Sequence, residues 1–210
     1  MGSIKEYRDL ISLIPVKKQS TIVKKEVWTR FSSIEQIKDS IFGSNDSVEI
    51  SREDVLSESD TAKRIVMALM WGYPTGGRGN NIEKTLSKMD DLTQLLSSIN
   101  EKDLTKAQAR KELAKFSKIN GLGASTWSKF LYFFNVSIDS RKCQIYDLKI
   151  VDSLNKKQFS EIGSQEWKQN KKQYYQYIEL LDNLATDMRV LPEQVELFLF
   201  YFNLYYKFSD

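Results

Sequence analysis

Residues 119–129 read Ile-Asn-Gly-Leu-Gly-Ala-Ser-Thr-Trp-Ser-Lys, and they leave little freedom in the local fold. Helical periodicity closes at Ile119 and reopens at Ala124, so only a tight hairpin fits between the two patterns. Gly121 and Gly123 flank Leu122, and glycine admits positive φ and the close approach of another backbone. The helix that follows exposes free N–H groups and the positive end of its dipole. Such an end holds a phosphate without needing a basic side chain. The element over 102–134 therefore suggests a grip on a nucleic-acid backbone. Its candidate contacts are Gly121, Leu122, Gly123, Ser125, Thr126 and Lys129. Ser125 and Lys129 lie one turn apart on one helix face, where Lys129 would add a counterion-releasing phosphate contact.

Composition narrows the chemistry. The 210 residues are 41% hydrophobic and 12% aromatic, enough for a real core. Net charge is +3, from 31 basic and 28 acidic residues, which is compatible with DNA without demanding it. There is no histidine and one cysteine, Cys143. These counts exclude an internal disulfide, a cysteine-built zinc or iron–sulfur site, and any Ser-His or Cys-His nucleophile pair. Asp, Glu, Lys, Tyr or water must carry any reaction. No metal site and no cofactor is expected, beyond a monovalent cation that the hairpin could accept. Residues 1–16 are charged and carry no cleavage site of the secretory type. The apolar run Val195–Phe208 is interrupted by Glu196, Asn203 and Lys207 and is too short to span a bilayer. A cytoplasmic protein without a membrane partner is the expectation.

Elsewhere the chain reads as helix after helix. A short one over Ile4–Ile14 stops at Pro15; Ser20–Phe31 is ambiguous between helix and a brief extended stretch; Ile34–Phe42 is weakly helical. Asp60 caps Thr61–Trp71, and a glycine-rich loop covers Gly72–Asn80. One long helix is expected over Asn81–Ile99. Thr105 and Gln108 form a capping box for a helix reaching about Phe116. The helix Ala124–Phe134 buries Trp127, Leu131 and Phe134, and a loop covers Ile138–Gln144. Asp147 opens a helix to about Leu154, and Gln165–Thr186 is helical. A final helix beginning near Pro192 is apolar almost all round, through Leu204 and Tyr205, and reads as the central core helix. The fold class is all-α, with room for one minor strand, and residues 1–210 make one large domain or two small lobes.

The hairpin and its sequel resemble the helix-hairpin-helix DNA glycosylase superfamily, in which such a hairpin leads through an amphipathic helix and a loop to an aspartate that opens the next helix. The matching pieces are Gly121-Leu122-Gly123, Ala124–Phe134 and Ile145-Tyr146-Asp147-Leu148. Trp71-Gly72-Tyr73-Pro74-Thr75-Gly76-Gly77-Arg78-Gly79 resembles a segment of bacterial 8-oxoguanine-glycosylase-like proteins. The resemblance implies a single domain over 1–210 of two helical lobes with a cleft between them, double-stranded DNA as partner and hydrolysis of an N-glycosidic bond. Asp147 would stabilise the positive charge that develops on the sugar. Its service would be base-excision repair or defence against foreign DNA. Trp71, Tyr73 and Arg78 become candidates for a pocket holding the flipped base. Bifunctional members carry a Schiff-base lysine two residues after the second glycine, where this chain has Ser125. Lys129 lies a turn further on, out of register with it, and stands beside Asp147 as a second catalytic candidate, while a monofunctional enzyme is implied. The Gly123-to-Asp147 gap is longer than the family norm, which leaves Asp139 as an alternative.

Plainer roles stand beside these. Asp147 could be only a helix cap, and Trp71 and Tyr73 only core. The lysines and tyrosines of Lys168–Tyr177 read as a solvated helix face, with tracking of a DNA strand as the alternative. Cys143 reads as a bystander. A non-catalytic DNA-binding module that recruits an unidentified protein is the second function class, and a protein-binding scaffold the third.

Overall fold

Among the residues described in this computed structural model, 2–206, with side chains through 202, helices dominate. In chain order they begin with α1 (Arg8–Ser12), followed by strand β1 (Ser20–Lys24), α2 (Lys25–Trp28), α3 (Glu35–Phe42), β2 (Ser47–Ser51) and α4 (Arg52–Ser57). The ambiguity over Ser20–Phe31 resolves into a strand followed by one helical turn. β1 pairs antiparallel with β2, from Ser20 opposite Ser51 to Lys24 opposite Ser47. Val23 and Ile50 turn inward while Ile22 and Glu49 face out, the period of two that a half-buried sheet requires.

The centre of the molecule is built by α5 (Thr61–Gly72) against a later helix. The expected long helix over 81–99 is in fact two, α6 (Asn81–Leu86) and α7 (Met89–Ile99), broken at Ser87-Lys88. Short strand β3 (Asp103–Leu104) leads to α8 (Lys106–Phe116), whose Thr105–Gln108 capping box forms as the sequence suggests. Then come α9 (Ala124–Phe133) and strands β4 (Ser137–Ile138) and β5 (Arg141–Lys142). β3 runs parallel to β4, and β4 pairs antiparallel with β5. The last helices are α10 (Leu148–Asn155), α11 (Lys171–Met188) and α12 (Pro192–Tyr206). Residues 165–170, expected in α11, precede it. The fold is mostly helical, in rough agreement with the all-α expectation, with two small sheets where the sequence suggests at most one minor strand.

Three helices share the interior. Residues 64–70 of α5 and 126–133 of α9 are buried without interruption, and these helices pack on each other. α12 packs on α10 and α11, with Val195–Leu199 buried. The expected apolar contribution of Leu204 and Tyr205 lies outside the described side chains. An amphipathic reading of α5 and α9 misses their burial because their polar members are satisfied inside. Arg64 donates through Nε to the Glu58 carbonyl at 2.6 Å and through Nη1 to Asn100 Oδ1 at 3.0 Å. No helix among the described residues is long and apolar enough to cross a membrane.

One ion pair ties the N-terminal elements to α12. Arg52 Nη2 meets Glu196 Oε2 at 2.8 Å, with both side chains 1% exposed. Arg52 also donates to Gln19 Oε1 at 2.6 Å and lies between the rings of Trp71 and Tyr132, 5.2 and 5.0 Å from their centroids. Burial pushes the Glu196 carboxyl above its ordinary range, against the pull of Arg52. Removing one partner strands a buried charge. Glu196→Ala should therefore cost about 3–5 kcal/mol, while Arg52→Met with Glu196→Leu should recover much of that loss. Urea unfolding of the three chains checks this; additive losses in the double variant would refute it.

The turn between α8 and α9 has its own constraint. Gly121 has φ +87°, and a Cβ there would run into the Asn81 carbonyl oxygen, with Asn81 C and Cα 3.1 Å away. Gly123 has φ −81°, and a Cβ there would meet nothing within 4 Å. Gly121→Ala should lose roughly 1–3 kcal/mol from the left-handed backbone alone, plus the clash. Gly123→Ala should unfold with wild-type midpoint, as thermal scans of the pair would record.

Candidate active site

The connection between β5 and α10 is short, buried and irregular, so its peptide groups need partners from side chains. They have them. The Gln144 carbonyl accepts from the Tyr174 hydroxyl at 3.0 Å, that of Ile145 from the Tyr177 hydroxyl at 2.8 Å, and that of Tyr146 from Gln169 Nε2 at 2.8 Å. The Tyr146 N–H donates to Ser128 Oγ at 3.0 Å. The Tyr146 ring stacks on Tyr177, centroids 4.6 Å apart, and Trp127 meets Tyr174 edge-on at 4.7 Å. Tyr174 and Tyr177 are fully buried, so this part of the Lys168–Tyr177 stretch is core and neither a solvated face nor a DNA track. Trp127, Ser128, Tyr174 and Tyr177 together set where the chain emerges at Asp147.

Asp147 caps α10, accepting from the Ile150 N–H at 3.1 Å through Oδ1. Its other oxygen, Oδ2, lies 3.8 Å from Lys129 Nζ. Lys129 is 5% exposed. It does not stand on an open helix face beside Ser125, as i,i+4 spacing suggests; its amine turns inward. Nζ donates to the Ser125 carbonyl at 3.1 Å and sits 5.3 Å from the centroid of the Tyr73 ring. Tyr73 is held in turn, its hydroxyl 2.8 Å from Thr126 Oγ1. An acid and an amine at 3.8 Å, beyond direct hydrogen-bonding range, stand over the same cavity.

That cavity has a volume of about 700 Å³, within the range of small-molecule sites. Its lining includes Tyr73, Arg78, Gly121, Gly123, Ser125, Thr126, Lys129 and Asp147. Residues from the Gly72–Asn80 loop, the hairpin and the start of α10, separated widely in sequence, thus converge. Arg78 is exposed at its edge. Gly123 is the N-cap of α9 and, having no side chain, leaves the first-turn amides without a side-chain cap. Leu122 is buried, and its N–H bonds to the Ile119 carbonyl at 3.2 Å; it lies under the turn and its side chain is core.

Three expectations need correction. Trp71 does not line the cavity: its indole N–H donates to the Gln19 carbonyl at 3.2 Å and its ring meets Phe133 edge-on at 5.3 Å. Trp71 is therefore a structural residue at the end of α5. Asp139, the alternative acid, sits in the β4–β5 turn, with φ +48° there and +63° at Ser140. Its carboxylate accepts from the Lys106 N–H at 3.1 Å, closing the start of α8, away from the cavity. Lys129, finally, is no free surface cation. Cys143 is buried, and burial pushes its thiol up to about 12, so it stays protonated.

Two lining residues carry no signal in the sequence. Gln169 uses Nε2 twice, to Ser125 Oγ at 2.9 Å and to the Tyr146 carbonyl, and it lies in the segment 165–170, which the sequence reads as the start of a helix. Gly72, at the end of α5, is hidden in the aromatic motif; a Cβ on it would fall 2.8 Å from Lys129 Cδ and Cε.

A family model described as "Putative 8-oxoguanine DNA glycosylase OGG-like protein" matches residues 14–200. No curated protein and no solved structure matches the chain. The matched span covers nearly the whole chain and all the residues around the cavity, and the chain belongs to this OGG-like family.

Proposed function

We propose that the protein is a DNA glycosylase that binds duplex DNA through the α8–α9 hairpin, receives an extruded modified or damaged base in the 700 Å³ cavity and breaks its N-glycosidic bond. In this reading the cavity is the cleft between two helical lobes. The observation that carries the proposal is the meeting of Asp147 and Lys129, 3.8 Å apart, at a cavity bordered by an uncapped helix N-terminus. The free amides of Gly123–Ser125 suit a phosphate, and Arg78 can reach a second phosphate or a base edge. Tyr73, at the cavity wall, offers a ring face to an extruded nucleotide. The family description makes 8-oxoguanine the first base to test.

Breaking the C1′–N bond leaves electron pair and negative charge on the base and positive charge on the sugar. A carboxylate at Asp147 stabilises that sugar charge and can accept a proton from the attacking group. Ser125, in place of the usual lysine, argues for water as the attacker. The inward amine of Lys129 favours a different nucleophile. After giving a proton to Asp147, Nζ attacks C1′ as the C1′–N bond breaks, and the departing base takes that proton from Asp147. Nζ then passes a second proton through Asp147 to the sugar ring oxygen as the ring opens, leaving an imine between Nζ and C1′; Asp147 next takes the C2′ proton as the 3′ phosphate departs with its electron pair. Each step uses groups at the cavity and needs no metal.

Asp147→Asn keeps the helix cap, since Asn caps as well as Asp, and removes the carboxylate. Duplex binding should persist while base release falls by about 10²- to 10⁴-fold, measured on a panel of modified duplexes. Undiminished release would exclude Asp147; binding without release by the parent chain would instead support a non-catalytic DNA-binding module. Borohydride separates the two attackers. With an abasic-site duplex the parent chain should give a covalent adduct that Lys129→Gln does not. Base release without any adduct would return the reaction to water and a monofunctional enzyme.

A further inference from the structure

We infer that Gly72 is a positioning residue for the amine of Lys129: its missing side chain is the slot through which the lysine reaches Asp147. α5 ends at Gly72 and packs against α9. The Lys129 stem crosses that end on its way to the cavity. A Cβ on Gly72 would lie 2.8 Å from both Cδ and Cε, and 3.9 Å from Nζ. The two carbon approaches are closer than carbon atoms allow, while the distance to Nζ is ordinary contact.

Gly72 is not glycine for the sake of its backbone. It lies within the helix and lacks the left-handed φ of Gly121. At a helical position alanine is intrinsically preferred to glycine. What Gly72 supplies is room, and the occupant of that room is one lysine stem. The position of the collision decides its consequence. The atoms met belong to the far end of a long side chain, while the α5 and α9 backbones are untouched. An alanine methyl would therefore be accommodated by swinging Cδ and Cε aside, carrying Nζ away from the Ser125 carbonyl and from Asp147. The fold and the hairpin grip would stay; the geometry of the amine would not. A misplacement near 1 Å costs on the order of 10²-fold in rate.

The chemical consequence rests on the glycosylase reading, whereas the placement of the lysine does not. Gly72→Ala should show a melting temperature at or above that of the parent chain and unchanged affinity for duplex DNA. Borohydride trapping on an abasic-site duplex should fall about 100-fold. Acylation of Lys129 by an amine-directed reagent, followed by peptide mass spectrometry without DNA, should be several-fold faster than in the parent, where the amine is enclosed. A parent-like rate of Lys129 acylation would overturn the inference, as would parent-like trapping if the parent traps. If the parent forms no adduct at all, amine chemistry fails and acylation alone still decides the role of Gly72. Should Gly72→Ala lose stability, adding Lys129→Ala must restore it, because the clash is with that side chain; a loss that persists in the double variant also overturns the inference.

Discussion

A buried stretch of chain that is neither helix nor strand must have its peptide groups satisfied by something, and here that requirement organises the whole site. Residues 144–146 accept two tyrosine hydroxyls and one glutamine amide, and donate to one serine hydroxyl. Without these, each orphaned group would carry a desolvation cost of about 1–3 kcal/mol. Because the donors come from α11 and from the segment just before it, and the acceptor from α9, the connector is referenced to three places at once. Asp147 follows directly. Its position is an outcome of core packing by Tyr174, Tyr177 and Trp127 and owes little to its own immediate surroundings.

The acid and the amine are enclosed to different degrees. Lys129 is shut in by the Ser125 carbonyl, the Tyr73 ring and Gly72, while Asp147 keeps one oxygen on its own helix and turns the other to the cavity. Charge in such a place interacts more strongly than at the surface. Glu196, behind the site and paired with Arg52, responds to both Asp147 and Lys129. The buried ion pair between α4 and α12 thus stands within electrostatic reach of the acid and the amine at the cavity.

What could be read from the sequence was what depends on local spacing. The hairpin glycines, the Thr105 cap, the Asp60 cap and the Asp147 cap all form as their local patterns require, and the break at Pro15 falls where proline demands it. Asp147, singled out by the hairpin-and-aspartate pattern, and Tyr73 and Arg78, from the Trp71–Gly79 segment, do line the cavity. The direction of a side chain was not legible. Lys129 sits at i+4 from Ser125, which places it on a helix face and says nothing about whether α5 covers that face. Trp71 and Tyr73 are two residues apart in one motif, yet one turns to the core and the other to the cavity, because α5 ends between them. Gln169 reaches the site only after the tertiary fold has brought it there, and no local pattern marks it. The β2 strand shows in hindsight as the alternation Val48-Glu49-Ile50, too brief to outweigh the helical patterns around it.

The contact of Gly121 with the Asn81 carbonyl has one more implication. The turn that would hold DNA leans directly on the first residue of α6, and α6 follows the loop bearing Arg78. The hairpin and that loop are therefore abutting parts, so a tug on one displaces the other. In the proposed reading, a phosphate seated on the turn would bear on the rim of the cavity that is to receive the base, so that backbone grip and base entry would share one piece of framework.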